Sequence, residues 1–295
     1  MSWDFNFTEE PPAAARSAAE AAAPDAVLVI PDLHPNGVWA LQALADVREL
    51  PAILALRPYL PQSEPPTLTS PVAVQLREAG LLTDTGLPRD DVAACMFAGG
   101  LPDIEIDMLY QRGEEVMTGA IVRRDDVTAA FTRFKDSVTM TQLQVASTSL
   151  DPVVDELMTF LGNPAPSPMR DVVLPKEDFN DMAECLINSA SPASDLCEVY
   201  GLSVEQASQL VDTVDKPEWT VDLGVQVHKR FAKSAISPGG VHLAMTRSGL
   251  MTTFSFSSRD TEFMSITKGT KGNIQRALAE AVNSLGTGSW GEHRR

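Results

Sequence analysis

The sequence predicts an α+β protein made of two similar halves, joined as one pseudo-duplicated helix–antiparallel meander–helix fold around a central β-sheet. Three observations predict it. The apolar residues switch twice from helical spacing to strict alternation, near residue 103 and again near 219. Each alternating series is followed by one amphipathic helix. A stretch with three prolines and a glycine, residues 162–171, separates the two series. The expected organisation is an alanine-rich tail over 1–25, a first half over 26–161, a linker over 162–171 and a second half over 172–291. The two halves pair into one sheet with helices covering one face.

In the first half, residues 26–30 read as a short strand. Residues 37–47 carry Val38, Leu41, Leu44 and Ala45 at helical spacing. Residues 52–57 read as a buried strand closed by Pro58, and 60–71 as a loop. Residues 71–79 and 88–97 are short helices, each opened by proline in its first turn. In 103–111, Ile104, Ile106, Met108 and Tyr110 alternate with acids, which marks a half-buried strand. Strands at 115–122, 128–134 and 138–145 complete a meander. The helix at 152–161 sets Val154, Leu157, Met158 and Leu161 on one stripe.

The second half opens with helices at 175–187, 192–200 and 203–214. Ser203 and Gln206 form a capping box, because each side chain can satisfy a free backbone group at the helix start. Val221, Leu223, Val225 and Val227 face one way in a strand at 219–228, and Val241, Leu243 and Met245 do so in the next. Strands at 250–256 and 262–267 follow, then a helix on Ile274, Leu278, Val282 and Leu285.

Charge narrows the function. Forty acids against 23 bases give a net charge of −17, which excludes a basic nucleic-acid footprint and attraction to an anionic membrane. Residues 149–218 carry −11 of it, while residues 219–295 are net +5. Such polarity suits steering of a partner. No apolar run reaches the length of a membrane span. The acidic start, MSWDFNFTEE, is unlike a secretory signal or a mitochondrial presequence. Three cysteines without a CxxC pair point to a reducing cytoplasm, with no disulfide framework and no zinc site.

Motifs for catalysis are absent. The chain has no phosphate-binding GxxxxGK[ST], no GxGxxG after a strand, no GxSxG and no HExxH. Gly269-Thr270-Lys271-Gly272 reads as an ordinary helix start. His228 and His242 fall on the polar phase of neighbouring strands, where Asp222 could join them as a third member of an enzyme site. Cys95, Cys185 and Cys197 are expected as core or half-buried thiols, and Asp125-Asp126 as turn charges. Trp39 and Trp290 are expected as core anchors.

Specific residues carry a family resemblance. Gly37-Val38-Trp39-Ala40-Leu41-Gln42-Ala43-Leu44, then Val47-Arg48 and Leu56-Arg57-Pro58-Tyr59, resemble the opening of the EspG family of type VII (ESX) secretion. Gly201-Leu202-Ser203 and Asp215-Lys216-Pro217 resemble its second helix–strand junction. Lys268-Gly269-Thr270, with lysine where the family has proline, then Ala277-Leu278 and Gly288-Ser289-Trp290, resemble its ending. The likeness spans residues 26–291 in order; the N-terminal extension is longer than in the family.

The resemblance implies a central β-sheet platform with two helical bundles, and a cytoplasmic, non-catalytic chaperone without cofactor. It implies binding to the PPE tip of a PE–PPE heterodimer, and release by a competing secretion component such as an ESX ATPase. No nucleic acid or membrane insertion is involved. It assigns client contact to the sheet, to the loop of the first meander holding Arg123, Arg124, Asp125 and Asp126, and to the acidic helical bundle with Asp178, Asp181 and Glu184. The loop is short here. Two other functions compatible with the residues are an interaction domain for a different partner and an enzyme built on His228, His242 and Asp222.

Overall fold

The computed structural model describes residues 26–56, 67–143, 149–189, 191–215, 217–229 and 232–294. The tail 1–25, residues 57–66 of the expected loop and family motif, the expected strand end at Val145, and Lys216 lie outside the described residues.

The first half runs β1 (Ala26–Leu33), α1 (Pro35–Leu44), α2 (Pro71–Glu78), α3 (Asp90–Gly100), β2 (Ile104–Arg112), β3 (Glu115–Arg124), β4 (Val127–Phe134), β5 (Ser137–Leu143) and α4 (Asp151–Phe160). The second half repeats the plan. It runs β6 (Val172–Pro175), α5 (Lys176–Asn188), α6 (Pro192–Tyr200), α7 (Val204–Asp215), β7 (Trp219–Lys229), an added β8 (Ala232–Ile236), β9 (Val241–Thr246), β10 (Gly249–Ser258), β11 (Thr261–Lys268) and α8 (Lys271–Asn283).

Among the described residues, eleven strands join one sheet in the order β1-β5-β4-β3-β2-β7-β9-β10-β11-β6, with β8 beside β7. The order is a palindrome of the two halves. They meet where β2 and β7 pair antiparallel from Ile104↔Val227 to Gln111↔Thr220. Each half closes its outer edge with its own first strand, β1 against β5 and β6 against β11.

Helices cover both faces, not one. Over the centre of one face lie α4 and α8. Ile104, Ile106 and Met108 of β2 and Val221, Leu223 and Val225 of β7 pack there with Val154, Leu157, Ile274, Leu278 and Val282. Ile274 and Leu278 are fully buried, and each contributes about 1.5–3 kcal/mol of transfer free energy. The opposite face carries two helical groups set apart. One packs Val38, Leu41 and Met96 of α1 and α3 on Ala120, Phe131 and Met140. The other packs Met182, Leu196 and Leu210 of α5–α7 on Met251 and Ile266. Between them lies the polar phase of β2 and β7. One-faced cover fails because the outer strands of each half also carry apolar side chains on the second face, and these need cover of their own.

Four local expectations change. Of the expected strand 52–57, the described residues 52–56 form none: Ala52–Leu54 is a 3₁₀ turn and Ala55 is left-handed at φ 46°. The carbonyls of Leu54 and Ala55 converge on Arg133 Nη1 at 2.6 Å each, which a straight strand cannot do. Pro88 does not open α3; it bridges Leu82, and the helix begins at Asp90. There the Arg89 side chain holds the Asp91 carboxyl below its usual range through a hydrogen bond of 3.0 Å. The strands β6 and β8 add to the expected set. The segment 162–171 has no helix or strand, yet it is pinned. Ser167 N–H donates to Leu250 O and Leu250 N–H to Ala165 O, both at 2.8 Å, and Met169 is buried.

Other details follow the sequence. Gln206 N–H donates to Ser203 Oγ at 3.2 Å and Ser203 N–H to Gln206 Oε1 at 3.0 Å, a reciprocal capping box. The Thr270 hydroxyl caps α8 by accepting from Asn273 N–H at 3.2 Å. Trp290 is buried, Trp39 half-buried.

Candidate functional site

Strand alternation decides what faces the strip between the two helical groups. The apolar phase of β2 turns to α4 and α8, so Glu105 and Asp107 turn to the strip. From β7 the same face brings Asp222, Gln226 and His228. Glu105 is only 3% exposed, a rare setting for an acid. Its Oε2 lies 2.9 Å from His228 Nε2, and Ser234 of β8 lies 3.0 Å from His228 Nδ1. This chain fixes the imidazole across three strands. Asp107 Oδ2 accepts from Gln226 Nε2 at 3.4 Å. Burial first, then the Glu105 charge and a hydrogen bond to it, push the Asp107 carboxyl up to about 8. Two touching carboxyls thus hold a proton near neutrality.

The enzyme constellation of His228, His242 and Asp222 does not assemble. Asp222 pairs with His242 at 2.7 Å in the β7–β9 register. His228 lies six residues further along β7, roughly 20 Å away at strand rise, and is held by Glu105 instead. Among the described residues no group of three or more His, Cys, Asp or Glu is placed to hold a metal ion. Cys95 is fully buried, and burial pushes its thiol up to about 12. Cys185 and Cys197 are half-buried.

The expected contact loop is a tight turn. Asp125 and Asp126 join β3 to β4, with Asp125 in the left-handed region at φ 50°. Its backbone N–H donates to Asp103 Oδ2 at 2.8 Å. Both turn carboxylates are open to solvent. Arg123 is different. It is 1% exposed, 3.7 Å from Asp103, donates to Asp125 O at 2.8 Å and lies over the Trp290 ring at 5.9 Å. It also donates to the carbonyl of His293. A side chain so enclosed has no surface for a partner; it ties the turn to the C-terminal segment. Arg124 is half-exposed and approaches Asp125 at 3.9 Å.

On α5, Asp178, Asp181 and Glu184 are all exposed, while Met182 on the opposite side is buried. Burial, then Asp181, pushes the Tyr200 hydroxyl up from its ordinary value. Apolar surface lies close in sequence. Ile187, Val199, Val204 and Ile236 are 69–77% exposed, and all four belong to the second half. Sequence reasoning had no sign of Glu105, Asp107 or Ser234. The polar phase of a strand reads as solvent-facing, and burial of that phase shows only once helices flank it.

Comparison with known proteins adds the rest. The model of a family described as the EspG family matches residues 34–280. No curated protein matches the chain. Among solved structures, the fold is similar to a Mycobacterium tuberculosis protein, the type VII secretion system chaperone EspG5, determined in complex with a PE25–PPE41 dimer. The TM-score is 0.75 at 19% identity, covering 90% of this chain and all of that one.

Proposed function

The chain belongs to the EspG family, and from that premise we propose that it is a non-catalytic chaperone of a type VII secretion system that binds a PE–PPE heterodimer through its PPE subunit. The family match over residues 34–280 carries the reading. The similar EspG5 chain, bound to PE25–PPE41, supports it at the level of fold. The strongly exposed apolar side chains of the second half, beside an acidic helix, suit a surface that shields another apolar surface.

The chaperone works stoichiometrically in the cytoplasm. Covering a PPE tip removes apolar area from water at about 25 cal/mol per Å², and an interface of roughly 1,600 Å² suffices for a stable complex. The halves 26–161 and 172–291 act as one platform, a reading supported by the continuous β2–β7 pairing. Arg124, Asp125 and Asp126 offer one polar edge and Asp178, Asp181 and Glu184 another, with Arg123 holding the turn from behind. Release falls to a competing secretion component, an ESX ATPase.

Co-expression with candidate PE–PPE pairs tests the reading. A 1:1:1 complex on gel filtration is expected. PPE that precipitates equally with and without this chain refutes it. Within such a complex, the triple change Asp178→Lys, Asp181→Lys, Glu184→Lys should slow association about tenfold at low salt and much less at high salt. An unchanged rate at low salt removes α5 from the interface.

A further inference from the structure

Shielding an apolar tip makes no use of the buried acids on the strip. Glu105 Oε1 and Asp107 Oδ1 are both buried and accept no hydrogen bond from outside the carboxyl pair. They stand two residues apart on one face of β2. Glu105 is enclosed, whereas the Asp107 side chain is only partly buried, so the pair is approached over Asp107. We propose that the Glu105–Asp107 pair is a recognition site for an arginine side chain of the client, whose guanidinium enters over Asp107 and bridges the two carboxyl groups. The identity of the protein bringing that arginine rests on the chaperone reading; the site itself does not.

Arginine fits for two reasons. Its planar fork presents parallel donors to two acceptor oxygens, and it stays charged when desolvated. The charged groups already facing the pair are committed elsewhere. His228 is bonded to Glu105 and Ser234, and Asp222 is paired with His242 from β9. Arg124, at the end of β3, is 3.9 Å from Asp125 and directs Nη1 at Phe97 O. The strip therefore presents the acids Asp107 and Asp222, with two histidines, to whatever docks, and Glu105 lies enclosed beside Asp107.

The exchange balances as one guanidinium in and one proton out. Asp107 keeps its proton up to about pH 8. Below that value the complex therefore gains up to about tenfold in affinity for each unit of rising pH, and above it the gain levels off.

The test has one arm without a client. Side-chain carboxyl signals of Glu105 and Asp107 are followed by ¹³C NMR on the full chain at neutral pH. N-acetyl-arginine methylamide is added, with N-acetyl-glutamine methylamide and calcium chloride as separate controls. A saturating shift of both signals with the arginine compound, a lowered Asp107 midpoint, and neither with the glutamine compound are expected. Unmoved signals, or calcium moving them as strongly as arginine, overturn the proposal. Asp107→Asn, which keeps the shape and removes the charge, should abolish the response at Glu105; a persisting response overturns it too. The second arm uses the same candidate PE–PPE heterodimers. Asp107→Asn should weaken their binding by about tenfold or more and flatten its rise with pH. A complex indifferent to that change refutes the site and leaves the chaperone reading standing. An arginine response without any PE–PPE complex does the reverse.

Discussion

Asp107 and Asp222 occupy the same place in the two halves, each the fourth residue of its central strand and each facing the strip. Their chemistry is opposite. Asp107 is pressed against a second carboxyl and keeps a proton to about pH 8. Asp222 is 58% exposed and pairs with His242 at 2.7 Å. The repeat fixes the position; burial first, and then the carboxyl of Glu105 where the second half has Thr220, decides what the acid becomes. A duplicated scaffold has thus specialised one half of its seam for a strained charge and left the other solvated.

The contrast between a strained first half and a relaxed second can be broken or sharpened by substitution. Arg123→Met should have the largest effect, about 3–5 kcal/mol, because it leaves Asp103 buried without its cation. Urea unfolding measures it, and a loss under about 1 kcal/mol means the turn is not anchored as described.

Asp107→Asn comes next, and it should stabilise. The folded chain holds the proton to about pH 8. The unfolded chain gives it up near pH 3.9. Between these values the folded state binds more protons, so wild-type stability falls as pH rises and is lowest above the folded value. The asparagine variant should lack that slope and exceed wild type by about 1–3 kcal/mol at alkaline pH. Denaturation series across the window decide it, and wild-type stability that climbs with pH there contradicts the shared proton.

Ser203→Ala should cost about 1 kcal/mol by removing half of the capping box. Asp222→Asn should change stability by less than about 1 kcal/mol, since its ion pair is exposed. If Asp222→Asn matched Arg123→Met, the second half would be no more relaxed than the first.

Strands and helices with clear periodicity were legible from sequence: both meanders, the α8 stripe and the Ser203–Gln206 cap stand where spacing placed them. The misses share a physical cause. Val172–Pro175 is four residues long and gains strand structure only from β11, a partner that local sequence does not reveal. Residues 52–57 are apolar enough for a strand, yet β1 occupies the edge beside β5, and Arg133 gathers the carbonyls into a turn. Of the candidate contacts, exposure of the acids on α5 was readable from helical phase. Enclosure of Arg123 was not, because its partners at 103 and 290–293 are distant in sequence.

The palindromic sheet also sets a timetable. During synthesis β2 emerges with one edge bare, and its partner β7 begins only at residue 219. At ~5–20 residues per second the wait is roughly 5–20 s. For that interval the nascent first half displays an open strand edge, the surface most prone to wrong pairing. A protein proposed to guard others against aggregation passes through its own vulnerable window on the ribosome, closed only when its second half arrives.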